Sequence, residues 1–396
     1  MAGPLRRDPL FLALCLFLLL IAEVSHRGAF IGAQMIRWNA VYRDGQPGFE
    51  WTLLGPILGG IAAFLAGRQL GLGVGGGSFL AGVALLVTAP ESLLGLGLFV
   101  LGSGLLVVCL LALAAAWLPN ERGNARLTLF FLMALGTETI MMMVPAAVAG
   151  GEQGSKFILV GFAGLALVCA LALAALDFWA GRGVDRPRSE EPKPSRPQLE
   201  AICLLTAAGI LAQAALGCAF RQQYQALGVW ESAGQPLAWL QTMTGVLTLA
   251  LLLVGMLLAL MGTLMGLPRL GVAAAIPFAL SMAAIAVLCG SFLGGSQEPM
   301  VAVALFSAMA SGFLQMSLMP ILSAIAGGVP TRWAPLALGL YLGLDALVGR
   351  FLGEALAGGG NGFVYPFVFL LVAAGIGGHF LGRHADKALA GEAPAA

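Results

Sequence analysis

Within AEVSHRGAF, residues 22–30, a carboxylate, an imidazole and a guanidinium follow one another along a segment that is otherwise apolar. Glu23 and Arg27 have the i,i+4 spacing of a helical ion pair, acid first, and His26 lies between them. On a helix the three fall within about one third of the circumference. An arginine beside a carboxylate favours its charged form, while removal from water favours its neutral form. Water access therefore changes how tightly such a group holds a proton. An imidazole, with an ordinary pKa of about 6.5, exchanges protons near neutral pH. The set predicts proton exchange by Glu23 and His26, with Arg27 controlling their affinity or binding an anionic group of a substrate. The alternative is a static polar knot that fixes helix packing.

The triplet is preceded by LFLALCLFLLLI and followed by IGAQMI, so it lies inside a run long enough to cross a bilayer. On a lipid-facing surface these groups would be costly, and they are expected to face a cavity or another helix. The whole chain has the same character. Of 396 residues 59% are hydrophobic and only 10% charged, and the mean hydropathy is +0.94. Soluble domains carry about 25% charged residues, so lipid is the expected solvent. A net charge of +1 gives no electrostatic case for nucleic acid. The six cysteines stand singly in apolar runs, with no C-x-x-C spacing, and are expected to be buried, reduced thiols. The opening RRDPLFLALCLFLLLIA imitates a signal peptide, but its apolar run continues past residue 32 without a small-residue cleavage site. It is read as the first span.

Apolar runs of spanning length fall near 9–36, 51–70, 76–90, 93–117, 128–149, 156–180, 199–222, 237–264, 270–294, 300–327, 333–357 and 362–383. The run at 76–90 is short and open to extension through its glycines. Residues 181–198 form a polar, proline-rich and charged linker. The expectation is an all-α membrane protein of twelve transmembrane helices in two six-helix bundles, residues 1–180 and 199–396, the latter with a short cytoplasmic tail. With the N-terminus inside, fourteen of the 20 Lys and Arg residues fall on the inner side. Only Arg37, Arg43 and Lys156 fall outside, and Arg27, Arg221 and Arg350 fall within spans. This bias follows the positive-inside rule when both termini are cytoplasmic. Two six-helix halves joined in this way resemble the major facilitator transporters, whose substrate sites lie near the midplane between halves. The 56 glycines, about twice average usage, suit close helix packing.

Within that superfamily the chain resembles the proton-dependent oligopeptide transporters, which carry E-x-x-E-R in their first helix, then an aromatic-rich stretch and a glycine. EVSHRGAFIG places Glu23 on the first glutamate, His26 on the second, Arg27 on the arginine and Gly32 on the glycine. GPILGGIAAFLAG, LGSGLLVVCLLAL, TLFFLMALG, LQTMTGVLTLALL and the stretch from GFLQMSLMP through LVGRFLGEAL, with Pro320 and Pro330, are similar to later helices in the same order. The resemblance implies proton-coupled uptake of peptide-like solutes. The chain departs from it where the fourth-helix lysine falls near Val107, the tenth-helix glutamate near Phe313 or Gln315, and the acid of the second-to-third-helix turn at Ala63 or Phe64. Those departures weigh against ordinary di- and tripeptide cargo and leave the fold reading intact.

Glu138 in the fifth span is an accessory proton or substrate site or a protonated packing residue. Met141 and Met142 share its face and read as apolar lining rather than copper ligands. Phe30, Gln222, Gln241 and Gln315, with Arg27, are candidates for substrate contact. Arg350 and Glu354 are spaced as an i,i+4 pair near the outer end of the eleventh span, with Asp345 on another face; this set reads as a gate or packing pair. His379 and His384 belong near the cytoplasmic tail. No phosphate loop, dinucleotide site, metal set or catalytic constellation emerges, so no enzyme and no cofactor is expected.

The chain is thus expected to be a monomeric secondary transporter in a bacterial-type inner membrane, with a small-molecule substrate, protons and the lipid bilayer as its partners. Proton symport into the cell is the leading reading. Proton-antiport efflux of a drug-like compound, uptake of a metallophore or metal complex, and a non-transporting receptor on a degenerate transporter fold stay open.

Overall fold

The computed structural model describes residues 8–41, 51–118, 122–149, 152–181, 193–232, 237–265 and 300–358. Among them the regular structure is entirely helical: α1 Pro9–Val41, α2 Trp51–Ala66, α3 Arg68–Thr88, α4 Leu93–Trp117, α5 Gly123–Ala149, α6 Glu152–Gly181, α7 Arg196–Ser232, α8 Leu237–Leu264, α9 Met300–Gly328 and α10 Ala334–Gly358. Seven of these are long and apolar enough to cross a membrane. The expected runs at 270–294 and 362–383 lie outside the described residues, as do the expected linker's residues 182–192. The exterior of α6 is apolar at Phe157, Ile158, Leu165, Val168, Leu171, Phe178 and Trp179, and that of α8 at Val246, Leu253, Val254, Leu257, Leu258 and Met261. Water would not tolerate such faces at three- and four-residue spacing, and hydrocarbon covers them. The chain is an integral membrane protein.

The caps and breaks follow from local sequence. Asp8 caps α1, its Oδ1 accepting from Leu10 N at 2.9 Å with Pro9 in the first turn. Ser92 caps α4, accepting from Gly95 N at 3.0 Å. Helices α2 and α3 are separated by Gly67 alone, at φ 93°, a left-handed conformation open to glycine. The second helix therefore ends four residues before the expected 70, and α3 begins eight before the expected 76. Apolarity located the third span, but the turn is set by one glycine.

The chain divides into two compact units: residues 1–121, 132–194 and 329–343, and residues 122–131, 195–328 and 344–396. In the first, α4 is apolar on all sides and is buried continuously from Gly102 to Ala115, as a central helix must be. α3 presents it a stripe of small residues, and two reciprocal contacts lock the pair. Gly82 lies against the backbone of Phe99, and Gly102 against that of Phe79; a Cβ at either glycine would overlap those atoms. Gly104 packs in the same way on Gly55 of α2. The amino-terminal half of α10 belongs to this unit, with Gly339 on Gly60 and Gly343 on Ile57.

In the second unit α8 packs on α9, with Leu251 over Gly312 and Thr248 Oγ1 donating to Ala308 O at 3.4 Å. The first turns of α5 belong here. Arg126, one of the fourteen basic residues counted on the inner side, is fully buried, and its Nε donates to Ser323 Oγ at 3.2 Å. α5 starts five residues before the apolar run does, which carries Arg126 into the packed helix. Arg37 is likewise buried at the end of α1, donating to the carbonyl of Pro90. Cys15, Cys109 and Cys169 are buried free thiols, as expected, whereas Cys203 is exposed on α7. Its position is apolar in sequence, and on a lipid-facing helix apolar does not mean interior.

Candidate functional site

Helix periodicity gathers the triplet, and the glycine contacts of α3 and α4 supply its walls. Arg27 Nε donates to Glu23 Oε1 at 2.8 Å. His26 Nδ1 lies 3.7 Å from the other carboxylate oxygen, Oε2. The opposite ring nitrogen, Nε2, is 2.8 Å from Ser103 Oγ on α4. Glu23 is buried, His26 is 0% exposed, and the Arg27 side chain keeps 33% of its surface. Neither Glu23 Oε2 nor His26 Nδ1 has a hydrogen-bond partner. The arginine thus forms the open side of the site, and the carboxylate and imidazole stand behind it.

Around the imidazole is a box of aromatic rings. Phe79 is 4.7 Å from His26 between ring centroids, and Phe30 is 5.9 Å away. Phe30 stacks on Phe99 at 5.0 Å with 14° between planes, and Phe79 stacks on Phe99 at 5.6 Å. The glycines opposite Phe79 and Phe99 permit this approach. Such rings exclude water and lower the local dielectric, which strengthens every electrostatic interaction at the triplet.

The expected site residues are thus partly brought together. Glu23, His26, Arg27 and Phe30 form one cluster in the first unit. Glu138 lies on the α5 segment that packs against α1, where Gly136 meets Val24 and Ile140 meets Gly28. Two residues from each, it projects from the far side of α5 relative to those contacts. Gln315 is buried on α9 and Asp345 on α10, both in the second unit; Asp345 Oδ1 is without a hydrogen-bond partner. Val107 and Phe313, where the family resemblance would place a cation and a carboxylate, are buried apolar positions. The side chains of Gln222, Gln241, Arg350 and Glu354 lie outside the described residues, as does that of Met141. No group of three or more His, Cys, Asp or Glu side chains among the described residues could hold a metal ion.

Two polar features escaped the sequence reading. Ser103 is one; its signal was a lone hydroxyl between two glycines in a 25-residue apolar helix. The other is Asp177 near the end of α6, fully buried and surrounded by donors. Arg68 Nε and Nη2 bind its two oxygens at 3.0 Å each, Gln69 Nε2 donates at 3.0 Å, and the Trp117 indole at 3.2 Å. An aspartate in the last turns of an apolar span requires a cation at the same level, and Arg68 was the available one.

No family model matches the chain, and no curated protein is similar to it in sequence. Solved structures are similar in fold. The major facilitator superfamily proton:xylose symporter XylE, bound to 6-bromo-6-deoxy-D-glucose, matches with a TM-score of 0.62 at 15% identity, over 96% of this chain and 94% of that one. The human organic anion transporter MFSD10 matches with a TM-score of 0.61 at 14% identity, over 98% of this chain and 99% of that one. The fold is that of the major facilitator transporters.

Proposed function

We propose that this chain is a secondary active transporter that takes up a small organic solute by proton symport. Two six-helix halves, joined by the 181–198 linker, would give water access to the site by turns from opposite sides of a bacterial-type inner membrane. Glu23 and His26 carry the coupling proton, and Arg27 releases or holds the carboxylate and meets an anionic group of the cargo. Phe30, Gln222, Gln241 and Gln315 are proposed substrate contacts, Glu138 an accessory proton site, and Asp345, Arg350 and Glu354 a gate or packing set. A peptide-like cargo follows from the first-helix resemblance, and the aromatic walls favour one with apolar parts. The proton coupling named for XylE is consistent with this reading.

One observation carries it. In a transporter fold, a buried carboxylate has one oxygen paired with a partly exposed arginine, and the other faces an imidazole with no hydrogen bond between them. A second proton on the ring makes the imidazole a cation facing that carboxylate, and a proton on the carboxylate loosens its pairing with Arg27. Vesicles holding the purified protein, with an inside-alkaline gradient and labelled sugars, dipeptides and organic anions supplied in turn, test it. One class accumulates above the level seen with an ionophore. Glu23→Gln and His26→Ala lose that accumulation while retaining exchange of labelled for unlabelled solute at equal pH. Full gradient-driven uptake in both variants removes the proton role.

A further inference from the structure

We propose that Ser103 is a positioning residue for His26: its hydroxyl donates to Nε2, and so holds the neutral imidazole as the Nδ1–H tautomer with that proton aimed at Glu23 Oε2. The geometry leaves little choice. Glu23 is paired with Arg27 at 2.8 Å and is a carboxylate. A bare Nδ1 would set its lone pair against carboxylate Oε2 at 3.7 Å, inside an aromatic box. The proton therefore belongs on Nδ1. Nε2 is then the acceptor, and the group 2.8 Å away must donate; Ser103 Oγ carries one O–H and two lone pairs. When the ring gains a second proton, Nε2–H donates and the same hydroxyl turns to accept. A single rotating O–H thus serves both charge states without moving a helix.

The other groups around the ring do not compete for this role. α3 contributes Phe79, and its sole ionisable residue, Arg68, lies eleven positions away. α4 carries no charged residue at all. α6 meets α1 through Leu159 on Gly32 and Phe162 on Gly28, with Lys156 and Asp177 farther along it in opposite directions. α5 meets α1 through Gly136 and Ile140, with Glu138 between them on the opposite side. Ser103 is placed by its neighbours: Gly102 sits on Phe79 and Gly104 on Gly55, which brings α4 close enough for a short side chain to reach the ring.

The bearing of this on transport rests on the proton-coupled reading above; the tautomer does not. The chain has three histidines, so nitrogen-15 spectra of histidine-labelled protein in nanodiscs resolve His26, assigned by its loss in His26→Gln. At alkaline pH the wild-type ring shows a protonated Nδ1 and an unprotonated, hydrogen-bonded Nε2. Ser103→Ala moves the Nε2 signal to that of an unbonded nitrogen or mixes the tautomers, and Ser103→Thr restores the wild-type pattern. A proton on Nε2 in the wild type overturns the proposal from that spectrum alone, even should Ser103→Ala fail to fold. Unchanged His26 signals in folded Ser103→Ala overturn it too. If the tautomer is found as stated but Glu23→Gln keeps gradient-driven uptake, the transport reading fails and the Ser103 assignment stands.

Discussion

Two buried acids in the first unit show how differently one residue type is used. Asp177 is saturated: four donor contacts from three side chains meet its two oxygens. Glu23 keeps one oxygen without a partner. A saturated carboxylate is structural, because any added proton must displace a donor. Removing Arg68 strands the Asp177 charge in a fully buried site, and breaking such a pair from one side costs on the order of 3–5 kcal/mol. Arg68→Met is therefore expected to lower the melting temperature of the purified protein in detergent markedly. Arg68→Met combined with Asp177→Asn recovers most of the loss, because the stranded charge is gone. Melts followed by tryptophan emission check this, and a double variant no more stable than Arg68→Met would show that the lost arginine packing, not the charge, sets the stability.

At the scale of helices, the site depends on glycines more than on its own polar residues. Gly102 lies against the Phe79 backbone, and Phe79 forms a wall of the His26 box. Gly102→Ala forces α3 and α4 apart, an overpacking cost of about 1–3 kcal/mol. It also moves both Ser103 and Phe79 relative to His26. Gly97, five residues earlier on the same helix, faces open space. Gly97→Ala is expected to leave the elution profile of the detergent-solubilised protein unchanged, whereas Gly102→Ala shifts it toward aggregate and lowers the yield of folded protein. Ten of the expected apolar runs coincide with helices because length and hydropathy alone specify a span. Partners across helices are another matter. The i,i+4 pair of Glu23 and Arg27 was legible because both lie on one helix. The bond from His26 to Ser103 spans 77 residues and that from Arg68 to Asp177 spans 109. No local period records such contacts. The burial of Arg126 was not legible for a related reason: the helix begins before its apolar run, and a partner on α9 covers the charge.

For the whole molecule, the distribution of charge makes the most direct statement about orientation. Fourteen basic residues assigned to one side against three on the other is a bias that the insertion machinery reads, since Lys and Arg near span ends are held in the cytoplasm. Burial of Arg37 and Arg126 does not weaken the case. Arg37 leaves the minority side and Arg126 the majority, and the asymmetry among the rest is preserved. The orientation we propose from it has Arg37 and Arg43 outside, the 181–198 segment inside and both termini in the cytoplasm. It is tested by single cysteines at Asp44 and Ser189 in a Cys203→Ser background, because Cys203 is the exposed thiol among the described residues. A membrane-impermeant maleimide added to bacterial cells with a permeable outer membrane labels Asp44→Cys at once. It labels Ser189→Cys only after the inner membrane is opened. The reverse pattern inverts the molecule, and with it the direction in which a proton gradient would drive cargo past Glu23. Labelling of both sites in intact cells would instead mean an even number of spans between residues 44 and 189, and the two-bundle arrangement would have to be abandoned.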